Sequence, residues 1–200
     1  MVVLAMVALL LGILCGNVII PEQLVDSIFH ASDYILYVLM FCVGISIGMN
    51  KMVFHKIKEY HVKIFIIPLG IMIGSIIGGA CSVLLLDLPF HECIAVASGL
   101  GWYSLTGILL SNLGGATIGT IGFLSNLMRV ILSFLMIPYI AKKLNHFTAI
   151  APAAATSEDT TLYVIMKSTS EEVAIMAVFN GVICSAMVPI LIKLCYMIFL

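Results

Sequence analysis

The sequence is short of charge. Asp, Glu, Lys and Arg make up 10% of its 200 residues while apolar residues make up 62%, against about 25% charged and 45–50% apolar in a soluble globular domain. A hydrated surface cannot be drawn from so few charged residues, which excludes an ordinary soluble fold. Nine Lys+Arg against ten Asp+Glu leave a net charge of −1, with no basic face for DNA or RNA and no solvating acidic tail. No C-x-x-C pair occurs. The cysteines (Cys15, Cys42, Cys81, Cys93, Cys184 and Cys195) stand singly in apolar runs and read as small core residues, and the five histidines are dispersed among the polar breaks. Neither a metal nor another cofactor is therefore expected. Ser/His, Cys/His and zinc-protease spacings are also missing from the expected helices, which argues against an intramembrane enzyme.

Long apolar runs are what the chain does have. A helix needs about 20 apolar residues to cross a hydrocarbon layer of about 30 Å. By that measure seven segments emerge, near 1–20, 33–50, 64–86, 93–112, 116–141, 147–167 and 173–197. Residues 1–200 thus read as a single all-α, polytopic transmembrane domain. Met1–Ile20 lacks a basic start and a small-x-small cleavage site, and reads as a retained helix rather than a signal peptide. The 51–63 loop carries Lys51, Lys56, Lys58 and Lys63, whereas 21–32 and 87–92 hold only acids. The lysine loop is placed in the cytoplasm accordingly. If 93–112 and 116–141 both cross, Lys142 and Lys143 emerge outside, against that tendency; if one is re-entrant, they return to the cytoplasm.

Three places break the rules for lipid-facing helices. Arg129 lies in mid-segment, where a cation costs at least about 2.5–3.5 kcal/mol and normally faces a cavity or a partner. It reads either as part of a substrate or ion pathway or as a snorkelling or structurally paired side chain. The stretch Ala151-Pro-Ala-Ala-Ala-Thr-Ser-Glu-Asp-Thr-Thr161 sets a proline, two carboxylates and four hydroxyls inside a candidate span. That composition fits a discontinuous helix of the kind that forms transporter binding sites, with Ser157, Glu158, Asp159, Thr160 and Thr161 at the break. A polar external loop between two shorter helices is the alternative. Third, Gly99-Leu-Gly-Trp-Tyr-Ser-Leu-Thr-Gly107 replaces bulky aliphatics with glycines and hydroxyls, so that Trp102, Tyr103 and Ser104 line a solute cavity or else sit at a tight helix contact. Helix packing through small residues is also expected at Gly70, Gly74 and Gly78.

These motifs together resemble one family, the bacterial lysine exporters of the LysO type. The residues that carry the resemblance are Phe41-Cys-Val-Gly-Ile-Ser-Ile-Gly48, Leu86-Asp-Leu-Pro89, Ala97-Ser-Gly-Leu-Gly-Trp-Tyr-Ser-Leu-Thr-Gly-Ile-Leu-Leu110, Phe123-Leu-Ser-Asn-Leu-Met-Arg129, Ala155-Thr-Ser-Glu-Asp-Thr-Thr-Leu162 and Val188-Pro-Ile-Leu191. It covers essentially the whole chain but only the larger, C-terminal part of a full-length exporter. What it implies is a repeat-built transporter of a bacterial inner membrane that exports lysine or a similar cationic amino acid by alternating access, coupled to a proton or cation. A separate N-terminal-half subunit would supply a second essential acid, and the assembly could be oligomeric. Asp159 matches the family's membrane-embedded acid and would bind the ammonium or the proton, while Asn126 and Arg129 would receive the substrate carboxylate. The sequence departs from the family pattern at Glu158, where methionine is usual, at Tyr163, where proline is usual, and at Val130, where a glutamate is common. Those departures leave two rivals open: a transporter of another solute or of sodium, and a non-transporting subunit in which Asp159 and Arg129 form a structural ion pair.

Overall fold

The computed structural model describes residues 65–198 and, before them, the single helical positions Val7, Leu11, Gly12, Leu14, Cys15, Tyr34, Val38, Phe41, Cys42, Ile45 and Met49. Apart from those positions, the expected segments 1–20 and 33–50 and the lysine loop 51–63 lie outside the described residues. The chain divides into two compact units, Met1–Ser46 and Ile47–Leu200, and residues 65–198 belong to the second.

Six α-helices make up this stretch: α1 (Ile66–Ser82), α2 (Phe90–Ala97), α3 (Tyr103–Gly114), α4 (Ala116–Lys143), α5 (Leu162–Ser168) and α6 (Glu171–Ile198). Two 3-10 turns, Thr148–Ile150 and Ala154–Glu158, fill the path from α4 to α5. At 1.5 Å per residue the 28-residue α4 and α6 are each about 42 Å long, more than the hydrocarbon thickness. Both are apolar enough to cross a membrane.

The inward face of α4 is small or polar at helical spacing, with Gly119, Gly122, Asn126, Val130, Ser133 and Ile137 buried. Its outward face carries exposed Leu124, Met128, Leu132, Leu135 and Met136. That is the reverse of a water-soluble helix and suits a helix whose outer face meets lipid. A turn at Gly115 (φ 90°) folds α4 back against α3. A methyl group at Gly107 would come within 3.1 Å of Phe123 Cβ, and one at Gly122 within 2.5 Å of Leu110 Cδ1. Small residues therefore set this contact. At Gly70, Gly74 and Gly78, where the same device was expected, an added Cβ would meet nothing within 4 Å among the described residues. Among those residues, the glycine stripe of α1 borders open space.

The segment read as one span over 93–112 is two helices. α2 starts after Pro89 in extended backbone (ψ 146°), with Glu92 in its first turn near the positive helix end. It stops at Ala97, and Ser98–Trp102 turn the chain before α3 begins. Hydropathy misses this break because Ser-Gly-Leu-Gly-Trp contains neither proline nor charge. The cysteines divide as well: Cys93, Cys184 and Cys195 are buried, but Cys42 and Cys81 are exposed.

Candidate functional site

Both interruptions place a non-glycine residue in the left-handed region, Leu100 and Ala154, each with φ 49°. Such a conformation costs on the order of 1–3 kcal/mol and persists only where the surroundings hold it. The two breaks hold each other: Ala155 N–H donates to Leu100 O at 3.0 Å. Buried backbone groups that a broken helix frees have no bulk water to satisfy them, so side chains must do it.

Two buried asparagines take that role. Asn126, on α4, accepts from Gly101 N–H at 2.8 Å and donates to Val96 O and Gly122 O, both at 2.9 Å. Asn180, on α6, donates to Ala154 O at 2.9 Å and to Ser157 Oγ at 3.0 Å. Ser157 Oγ in turn donates to Ala177 O at 2.7 Å, and Thr161 Oγ1 to Thr156 O at 2.9 Å. Among the described residues no buried side-chain nitrogen or oxygen lacks a partner. Helix α6 touches both breaks, since Ser98 Oγ lies 3.4 Å from Cys195 Sγ near its far end. Gly181 lets the second break seat closely, because a Cβ there would fall 2.5 Å from Glu158 N.

Charge lies beside this crossing. Arg129, one turn beyond Asn126, donates from Nη1 to Ser75 Oγ at 2.9 Å, from Nε to Pro152 O at 3.2 Å and from Nη2 to Ala151 O at 3.4 Å. All three partners are neutral oxygens, so the Arg129–Asp159 ion pair considered as a structural alternative is not formed. Glu158 is half-buried and accepts from Ser185 Oγ at 2.8 Å. Asp159 is exposed, its Oδ1 accepting from Thr160 N–H. The Asp159 carboxylate lies within electrostatic range of Glu158 and of Tyr103, and buried Cys184 within range of both Arg129 and Glu158.

The structure thus gathers Ser157 and Glu158 against α6, holds Thr161 on Thr156 O, and brings Arg129 to the backbone just before the second break. Asn126 is near them, but its amide is committed to the first break and is not left for a ligand. Trp102 is part of the turn, its N–H donating to Gly99 O at 2.8 Å and its carbonyl accepting from Thr106 Oγ1 at 2.7 Å. Tyr103 stacks edge-on with Phe123 at 5.4 Å between centroids, and Ser104 follows it half-buried in the first turn of α3. Sequence reasoning missed Asn180, Ser185 and Ser75. Asn126 came from the resemblance; the signal that marked Arg129, a polar side chain in mid-span, was also present at Asn180 and Ser185 in the 173–197 run.

The family model for the lysine exporter LysO matches residues 6–196. A lysine exporter LysO from Escherichia coli (strain K12) is 35% identical over 186 residues, covering 90% of this chain and 62% of that protein. A putative lysine exporter from Haemophilus influenzae (strain ATCC 51907 / DSM 11121 / KW20 / Rd) is 35% identical over 167 residues, 80% of each chain. The chain therefore spans about three fifths of the Escherichia coli relative. No solved structure matches. With the family model covering nearly every residue, and with two relatives of that identity, this chain belongs to the lysine exporter LysO family of membrane transporters.

Proposed function

We propose that the chain exports lysine or a related cationic amino acid by alternating access, along a path that passes the crossing of the two broken segments. In this reading Asp159, with Glu158 beside it, receives the side-chain ammonium or the coupling proton. Arg129 receives the α-carboxylate, and Tyr103 and Trp102 shape the wall. Support comes from the charge layout: a guanidinium whose partners among the described residues are neutral oxygens, and two adjacent carboxylates at the second break. That is the complement of a zwitterion with an extra positive charge. Each broken segment is followed by a 28-residue helix carrying a buried asparagine in its third turn, Asn126 or Asn180. This likeness favours a repeat-built transporter. A separate N-terminal-half subunit completes the site.

The test is efflux of radiolabelled lysine from loaded cells that carry this chain and its N-terminal partner, wild type against Asp159→Asn at equal membrane abundance. Efflux that disappears in the variant is expected. Lysine efflux absent from the wild type, or unchanged in Asp159→Asn, overturns the assignment. The solute-specific rival, another amino acid or sodium, draws on Glu158, whose seat on Ser185 adds a carboxylate where the family pattern has methionine. Competition of unlabelled solutes against labelled lysine separates the two.

A further inference from the structure

Two cavities flank Arg129 along the glycine face of α1. One, of 730 Å³, is lined by Gly70, Gly74 and Ala151 among others; the next, of 460 Å³, by Gly78, Ser82 and Asn126 among others. Ser75 and Arg129 are the two residues common to both linings, and the 2.9 Å bond between them stands where the cavities adjoin. Between the α1 side chains that line these cavities, Gly70, Gly74 and Gly78 present none, and an added Cβ there would meet nothing within 4 Å among the described residues.

The bond at this boundary is a weak one for a guanidinium to keep. A neutral hydroxyl satisfies one N–H, whereas a carboxylate takes two in parallel and is roughly twice as strong an acceptor. Nε holds Pro152 O at 3.2 Å and fixes the plane of the group. Nη2 reaches Ala151 O only at 3.4 Å, so Nη1 and Nη2 form the edge that can change partner without the side chain moving. We propose that Ser75 Oγ occupies the place of the substrate α-carboxylate on Arg129, and that the carboxylate, by displacing it, joins the two cavities into one passage. Ser75 is then a specificity-determining residue: a solute with the lysine side chain but no carboxylate does not release the bond. The proposal rests on the reading of Arg129 as the carboxylate receptor of a lysine exporter.

The experiment measures half-saturation for labelled lysine in membrane vesicles from cells carrying the full chain and its N-terminal partner. Wild type, Ser75→Ala and Ser75→Thr are compared, with cadaverine, which is lysine lacking its carboxylate, as competitor. Removing the competing hydroxyl should lower the half-saturating lysine concentration about three- to tenfold in Ser75→Ala. Ser75→Thr, which keeps the hydroxyl, should stay within about twofold of wild type. Cadaverine should not inhibit the wild type or Ser75→Thr, and should begin to inhibit Ser75→Ala, in which no bond has to be released. A Ser75→Ala protein that moves lysine with an unchanged or raised half-saturation overturns the role of Ser75, as does cadaverine competing as well as unlabelled lysine in the wild type. Absence of lysine transport in the wild type overturns instead the exporter reading on which the proposal stands.

Discussion

Asn126→Ala is the sharpest test of how the first break is held. The substitution removes three hydrogen bonds, but they are not equivalent. Gly122 O lies inside α4, where the helix's own N–H groups still serve it, and Val96 O keeps a backbone donor, Gly99 N–H at 3.2 Å. Gly101 N–H has Asn126 Oδ1 as its partner at 2.8 Å and loses it. An orphaned buried donor costs about 1–3 kcal/mol. Two further bonds, at the average of about 0.6 kcal/mol measured between helices in membranes, bring the expected loss to about 2–4 kcal/mol. Ser133→Ala, one buried polar deletion two turns along the same helix, removes only a local bond to Val130 O and should cost less than about 1 kcal/mol. Equilibrium unfolding in mixed detergent micelles compares the two directly. Hydrogen exchange at the Gly101 amide should accelerate at least about 30-fold in Asn126→Ala, the rate equivalent of 2 kcal/mol. A loss in Asn126→Ala no larger than in Ser133→Ala, with Gly101 exchange unchanged, would refute the idea that this amide holds the break.

The glycines on α1 and α6 should respond oppositely to a methyl group. Gly181→Ala, whose Cβ would strike Glu158 N at 2.5 Å, should cut the initial rate of lysine efflux at least about tenfold by shifting the second break. Gly74→Ala, which meets nothing within 4 Å among the described residues, should stay within about twofold in the same assay. Arg129→Lys keeps the charge but cannot reach Ser75 Oγ, Pro152 O and Ala151 O with one planar fork, and should raise the half-saturating lysine concentration about tenfold or more.

Hydropathy marked the long helices well because length and apolarity are what the bilayer selects. The run at 116–141 became α4 over Ala116–Lys143, and the run at 173–197 became α6 over Glu171–Ile198. Around residues 151–161 the proline and the two acids advertised irregular backbone, and 3-10 turns lie there. At Ser98–Trp102 the glycines drew notice as a cavity wall or a tight helix contact, but not as an interruption. Its cause lies in Asn126, 25 residues away, which accepts from Gly101 N–H, and in Ala155, which donates to Leu100 O. A window slid along the chain cannot see a partner that arrives only after folding. Arg129 announced itself by its charge, but the identity of its neighbour did not. Ser75 sits among glycines that read as a packing stripe, and only the cavity lined by Gly70, Gly74 and Ser75 shows what this face of α1 borders among the described residues.

The asparagine clamps also bear on wetting. Because Asn126 and Asn180 serve the interrupted backbone directly, Gly101 N–H, Val96 O and Ala154 O do not rely on solvent for their hydrogen bonds. The crossing can then stand beside a flooded vestibule or a dry one with the same internal bonding, and filling or draining the neighbouring space need not loosen it. What changes on hydration is confined to groups such as the Arg129 edge and the Asp159 carboxylate, which leaves a rigid, water-indifferent pivot beside a site that is rewetted each time the path opens.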